Sequence, residues 1–359
     1  MRSSLPISFL PLLLLLNALP PCPSQTSTWT SPHQDLEQKG DTHLSFERPW
    51  LSRVFRPARP FNEVLPSWNL DVPPGAGVRV EIQVGTKKGW SPWLHIGDWG
   101  RVPVGKRRLR CEQGRVAIDI FRSKRRFTRA RFRLSAFPPE MPSPTRRPRP
   151  GSRPSPKKRT SSPSPVLRRL HVTFSDTLGG IQPKSPSILP AKPPLRVPLL
   201  RQGSAPKSIS SLVCSPTSVT MVLRSLGKRV SLVQAARGIW DPHNKLYGVW
   251  NRAVQYAWTQ GVPGYLTRIA SWDRVIQLTQ AGQPIIISIA FEKGQLRNAA
   301  FSRSDGHLIV LLGLSKDGKT VTVADPGAGK GKSIQRVYYR ADLSKCWMQR
   351  GGFSYILGK

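Results

Sequence analysis

Three side chains in the C-terminal half could together perform acyl transfer: the thiol of Cys214, the imidazole of His307 and the carboxylate of Asp325. Cys214-Ser215-Pro216-Thr217-Ser218 stands directly before a run in which Val219, Val222, Leu223 and Leu226 fall at helical spacing. Pro216 suits a helix's first turn, where its missing N–H would have no partner anyway. The spacing therefore predicts Cys214 at or next to the N-terminus of a helix that Gly227 can close. There the positive end of the helix dipole favours thiolate, the form a cysteine nucleophile needs. A nucleophile also needs a base, and residues 197–359 hold only two histidines, His243 and His307. His307 opens the apolar run 308–312, Asp317-Gly318 marks a turn, and the run 320–323 leads to Asp325. A hairpin of that shape brings the start of one strand beside the end of the next. His307 and Asp325 are therefore expected neighbours, with the carboxylate orienting the ring. Singly, each has an ordinary reading: a buried small thiol, a satisfied core histidine, a turn aspartate. In this order and on these elements, they read as a Cys-His-Asp set. His243 has no partner at metal-ligand spacing, which argues against zinc, and the chemistry calls for no cofactor.

These residues must be held by elements legible around them. Residues 252–259 and 271–281 have helical patterns, with Ser271 and Asp273 where a cap and a first-turn acid belong. Residues 284–289, 308–312 and 320–323 are β-branched or apolar runs of strand length. Helices followed by strands indicate an α+β domain over 197–359. Upstream, residues 78–84, 116–121 and 130–134 read as short strands, and Pro73-Pro74-Gly75 and Lys88-Gly89 as turns. These suggest a β-sandwich-like domain over 42–178. Within it, residues 138–165 hold 10 Pro, seven Lys or Arg and one acid, a composition that cannot pack a core. Residues 166–174 read as one further strand, which makes the Pro-rich stretch a disordered loop inside this domain. Residues 179–196 are then the linker, and 25–41 a flexible arm.

A chain of 359 residues is long enough for two domains and a leader. The formal net charge of +37 excludes an ordinary acidic cytosolic enzyme, and four Cys exclude a small disulfide scaffold. Met1-Arg2-Ser3-Ser4, the apolar run to Leu16 and the exit Ala18-Leu19-Pro20 have the order of a secretory signal peptide, assigned to 1–24. The expected location is secreted or in the cell envelope or periplasm. Lipidation at Cys22 is disfavoured by Pro21. Cys111 and Cys346 are candidates for a bridge, with free buried thiols the equal alternative. The charge is spread over both halves, with 22 basic and 7 acidic residues from Val197 onward. It reads as a generally basic surface or as adhesion to an anionic envelope polymer. No specific nucleic-acid motif is present. Trp68, Trp90, Trp93 and Trp99 read as sandwich packing, with platforms for sugar or peptide the alternative.

The run from Val197 to Leu357 resembles the bacteriocin-processing-type cysteine peptidase-like family, a bacterial branch of the papain-like clan. The resemblance is carried by Val197-Pro198-Leu199-Leu200-Arg201-Gln202, Cys214-Ser215-Pro216-Thr217-Ser218, Asp241-Pro242, Tyr247-Gly248-Val249-Trp250, Gly282-Gln283-Pro284, Gly306-His307 and Ala324-Asp325-Pro326. It implies a papain-like fold, with Cys214 as nucleophile, His307 as base and Asp325 as its orienter. It also implies Gln202 as the side-chain donor of an oxyanion hole. Ser215 departs from the Gly that many relatives carry after the cysteine. Similar proteins have a β-rich domain before the peptidase domain. The expected function is an exported cysteine peptidase acting on a peptide or protein. The alternatives are an amidase or transglutaminase-like acyl transferase on cell-wall peptides, or a catalytically silent polyanion-binding envelope protein.

Overall fold

Alternating side chains shape the N-terminal half, and the computed structural model, which describes residues 30–139 and 163–359, shows how. In order, its strands are β1 (His33–His43), β2 (Trp50–Leu51), β3 (Phe61–Asp71), β4 (Gly77–Thr86), β5 (Gly89–Trp90) and β6 (Leu94–Gly100). They continue with β7 (Arg110–Cys111), β8 (Gly114–Ala117), β9 (Ile120–Phe127), β10 (Arg129–Phe137) and β11 (Val166–Ser175). One sheet runs β1-β11-β3-β9-β8-β7; the other runs β2-β10-β4-β5, with β6 also on β4. Val78, Val80, Ile82 and Val84 recur every second residue along β4, and all are buried against Phe132, Leu134, Phe174 and Trp68 in one core. Each such side chain contributes roughly 1.5–3 kcal/mol by leaving water.

The C-terminal half contains α1 (Cys214–Ser225), α2 (Leu232–Ile239), α3 (Trp250–Thr259), β12 (Gly264–Arg268), α4 (Trp272–Gln280) and β13 (Ile285–Phe291). After these come β14 (Ser304–Leu314), β15 (Thr320–Ala324), β16 (Gln335–Tyr339), α5 (Arg340–Leu343) and β17 (Phe353–Leu357). The strands form one antiparallel sheet ordered β12-β17-β13-β14-β15-β16. Both faces are covered. Leu308, Val310 and Leu312 of β14 pack with α1 and α3, whereas Ile309 and Leu311 pack with α4. This is an α+β domain preceded by a β-rich domain.

Several expectations need correction. Residues 33–41 are not a loose arm: β1 pairs with β11 from His33↔Ser175 to His43↔Val166. Its polar sequence hides it because its anchoring is polar; Asp35 accepts hydrogen bonds from Thr173 at 2.6 Å and Thr267 at 2.7 Å. Residues 116–121 are not one strand but the end of β8, a turn at Ile118-Asp119 and the start of β9. Residues 179–196 are not a free linker. The Lys184 N–H donates to Ala270 O, Ser187 donates twice to Asp273, and the Leu195 N–H donates to Leu312 O. Asp273 thus holds this strap, and Ser271 occupies the N-cap of α4 without a capping hydrogen bond. Cys111 and Cys346 are both free. Cys346 is buried in the core of the C-terminal domain with Sγ 3.6 Å from Gln295 O, and Cys111 packs against the sandwich core. The signal segment, Cys22 and most of the Pro-rich loop lie outside the described residues.

Trp90 and Trp93 carry arginines over their rings. Arg129 and Arg131 lie over Trp90 at 4.4 and 4.5 Å, and Arg131 and Arg133 lie over Trp93 at 5.4 and 4.7 Å. The alternation along β10 puts all three guanidinium groups on one sheet face, and the cation–π contacts occupy the rings. Trp68 is core.

The two domains share a core and a buried polar seam. Leu65, Ile120, Ala117 and Trp99 join the cluster that contains α1 and α3. The Gln255 carboxamide hydrogen bonds to both Leu70 N and Leu70 O, and Ser67 Oγ accepts the Leu266 N–H at 2.9 Å. Arg268, 3% exposed in its side chain, pairs with Glu63 at 2.6 Å. Glu63→Ala would leave that guanidinium charged and unpaired, so urea unfolding should show a loss of about 3–5 kcal/mol. A loss below about 1 kcal/mol would mean the pair is effectively solvated.

Candidate active site

Helix α1 begins at Cys214 itself. Its N-cap, Val213, supplies no side-chain acceptor, and no acid sits in the first turn. The helix end is therefore electrostatically uncommitted beside the sulfur, and the first-turn N–H groups have no intrahelical acceptors. Thr217 returns its hydroxyl to Val213 O at 2.6 Å, which firms the turn. Cys214 is partly accessible, unlike the following residues 215–223, which are buried.

The hairpin of β14 and β15 brings His307 and Asp325 together. His307 Nε2 lies 2.7 Å from Asp325 Oδ1, and the two side chains are 4% and 2% exposed. That contact leaves Nδ1 clear of Asp325, and the Cys214 thiol and the His307 ring are near enough that each shifts the ionisation of the other. Asp325 is saturated by donors: Gly327 N–H donates to Oδ1 at 2.8 Å and Tyr338 O–H to Oδ2 at 2.6 Å. Phe301 meets the imidazole edge to face, with centroids 4.8 Å apart. A Cβ on Gly327 would come 2.6 Å from Phe301 and 3.1 Å from His307 Cε1, so only glycine permits this approach.

The electrostatics follow from these contacts. Burial opposes the Cys214 thiolate, yet the His307 hydrogen bond and charge, with the N–H groups of Leu308 and Ser215, outweigh it and lower the thiol pKa. Burial likewise opposes the imidazolium, but Asp325 and Cys214 raise the His307 pKa to about 10. Burial would raise Asp325, and its bonds from His307, Tyr338 and Gly327 bring it below the usual carboxylate value. All three shifts favour a thiolate–imidazolium pair backed by a carboxylate.

Gln202 lies in a 3-10 turn, Gln202–Ser204, and its N–H donates to Pro326 O at 3.0 Å. This ties it to the loop that follows Asp325. Its Oε1 is buried without a partner. Arg201 fixes the same loop through the carbonyls of Ala328, Gly329 and Lys332. Ser215 turns its hydroxyl into the core, 3.2 Å from Tyr355 Oη, so its extra bulk finds a buried partner. His243 sits elsewhere, at the domain seam against Arg107. Among the described residues no group of three or more His, Cys, Asp or Glu side chains is placed to hold a metal.

Tyr338, Phe301 and Arg201 were not singled out from the sequence as part of the site. Tyr338 had one local signal: in Val337-Tyr338-Tyr339 on β16, strand alternation requires the middle residue to point opposite to its neighbours, and it is the buried one.

Comparison with known proteins agrees with the resemblance seen in the sequence. Residues 194–355 match the Peptidase C39 like family, and residues 23–147 match the Peptidase C39 N-terminal domain. No curated protein matches the chain. One solved structure that aligns is of a double glycine motif protease from an AMS/PCAT transporter in complex with the leader peptide. It is 19% identical, covers 47% of this chain and 96% of its own, and has a TM-score of 0.31.

Proposed function

Residues 194–355 belong to the Peptidase C39 like family, a cysteine peptidase family, and on that premise we propose that this protein is an exported cysteine peptidase that hydrolyses peptide bonds through Cys214, His307 and Asp325. The observation that carries the reading is the buried His307–Asp325 contact at 2.7 Å, with the imidazole and a thiol at a helix N-terminus shifting one another's ionisation. Export is supported by the order of charged, apolar and small residues before position 25.

In the first half-reaction the Cys214 thiolate attacks the carbonyl carbon and a C–S bond forms. The Cys214 N–H and the Gln202 carboxamide donate to the oxyanion. The His307 imidazolium gives its proton to the leaving amine as the C–N bond breaks. In the second, neutral His307 takes a proton from water while the water oxygen attacks the acyl carbon. The C–S bond then breaks and the thiolate–imidazolium pair is restored. Asp325 holds the ring throughout and stabilises its charge.

The reading is tested by incubating the protein with a proteome-derived peptide mixture and, separately, with peptidoglycan fragments, and mapping new termini by mass spectrometry. New termini in the peptide mixture, lost after alkylation of the protein, are expected. Cleavage of peptidoglycan fragments alone would instead identify an amidase. The groove lined by Trp93, Lys106, Arg107, Arg108, Arg133 and Glu81, four cations to one acid, favours contact with an anionic polymer. No cleavage in either mixture, with salt-sensitive retention on immobilised polyphosphate, would replace the enzyme reading by a binding one.

A further inference from the structure

One buried acid belongs to the N-terminal domain yet lies inside the peptidase domain. Asp119 stands at the turn between β8 and β9 and is 3% exposed. Its Oδ2 accepts the Trp250 N–H at 2.6 Å, and the Asn251 N–H adds to the field that favours the carboxylate. Both N–H groups belong to the first turn of α3, a helix whose own N-cap, Val249, offers no side-chain acceptor and whose first turn holds no acid. The cap that α3 lacks locally is delivered from the other domain.

Two further observations point to function. Ile118, beside Asp119, has φ 61°, a left-handed conformation that disfavours a β-branched side chain, and it is 48% exposed. Ile118 lines the seam cavity beside Leu109 and Val249 but stays half exposed there, whereas the turn buries Asp119 against the Trp250 N–H. Second, the cap and the nucleophile border one core. Trp250 and Cys214 pack on the same cluster, and Trp250 meets Phe353 at a tilt with centroids 4.2 Å apart. Two residues on, Tyr355 feels the charges of both Asp119 and Cys214 and hydrogen bonds to Ser215.

We propose that Asp119 is a positioning residue of the catalytic site: the N-terminal domain completes the peptidase by capping α3 and holding Trp250 on the core that also seats Cys214. The proposal rests on Cys214 being the nucleophile. It makes the N-terminal domain a working part of the enzyme. The groups facing Asp119 are the α3 donors, Arg122 on β9 (itself near Glu63 at 3.5 Å) and Tyr355 on β17, with Cys214 beyond the tyrosine. Burial outweighs the donors and Arg122, and raises the Asp119 pKa to about 7. Ionisation near neutrality strengthens the cap, because a carboxylate accepts more strongly than a carboxyl. It also costs stability. A raised carboxyl pKa means that the contribution to folding is full below the ordinary carboxylate value and fades as pH rises to about 7.

The test is the rate of Cys214 alkylation by iodoacetamide across pH, read by mass spectrometry on the full chain, in wild type, Asp119→Asn, Asp119→Ala and His307→Ala. Wild type should show an added rise near pH 7 that Asp119→Asn lacks. Asp119→Ala should label about tenfold more slowly, with Asp119→Asn restoring most of the rate. Asp119→Asn should also unfold at a higher temperature than wild type at about pH 8, because it removes the buried charge. An Asp119→Asn profile identical to wild type would overturn the proposal, and that variant decides even if Asp119→Ala fails to fold. If His307→Ala labels like wild type, it is the peptidase reading that falls.

Discussion

Asp325→Ala should lower kcat/KM for peptide hydrolysis by about ten-thousandfold while leaving the chain folded. The carboxylate is buried and accepts from three donors: the His307 ring, Gly327 N–H and Tyr338 O–H. Removing it frees the imidazole to rotate away from the thiol and removes the charge that stabilises the imidazolium. The alkaline limit of activity should also move below about 10, because the Asp325 hydrogen bond is the largest effect raising His307. Asp325→Asn separates the two contributions. An amide can still accept from His307 and Gly327, and the Tyr338 hydroxyl can turn to accept from it. Geometry survives, charge does not, and the loss should fall well short of that for alanine. Equal losses in both variants, measured by steady-state kinetics, would mean that charge alone matters and the three-donor arrangement does not.

The largest effect is expected at the thiol–imidazole pair. Cys214→Ala and His307→Ala should each reduce hydrolysis by about a millionfold, and the double variant should be no worse than either single one. The two groups act as one unit, so their effects do not add. In wild type, activity should rise through the lowered thiol pKa, stay level through neutrality and fall near pH 10 as His307 deprotonates. The sign for stability follows from the raised histidine pKa. The imidazolium's contribution to folding is full below 6.5 and is lost as pH rises toward about 10. Heat unfolding of His307→Ala should lack that alkaline decline. Additive losses in the double variant would place the two residues in independent roles.

Much of the site was legible because its parts are local. The helix that presents Cys214 is periodic, and the hairpin that pairs His307 with Asp325 has apolar strands and a clear turn. What was not legible depends on partners distant in sequence. Strand β1 is polar and exists through its ladder to β11 and the Asp35 bonds to two threonines. Strand β3 is buried along nearly its whole length, so it carries no alternation to read. The Ile118-Asp119 turn contains no Gly or Asn, and Val116 to Phe121 reads as a strand; only the captured carboxylate makes the turn necessary. Helix α2 did leave a local trace. Ser231 and Gln234 form a capping box at its start, a spacing visible in the sequence. Tyr338 joins the site from β16, 13 residues beyond the aspartate it supports, and nothing local to Asp325 announces it.

The central claim is that Cys214 is a thiolate paired with His307 at neutral pH. It is tested most directly by titrating the ultraviolet absorbance of the thiolate in wild type against Cys214→Ser, which cancels the contributions of Cys111 and Cys346. The account predicts a difference signal for one thiolate already present at mildly acidic pH, and its displacement to ordinary thiol pH in His307→Ala. A signal that appears only near the usual thiol pKa of about 8.5 in wild type would contradict it.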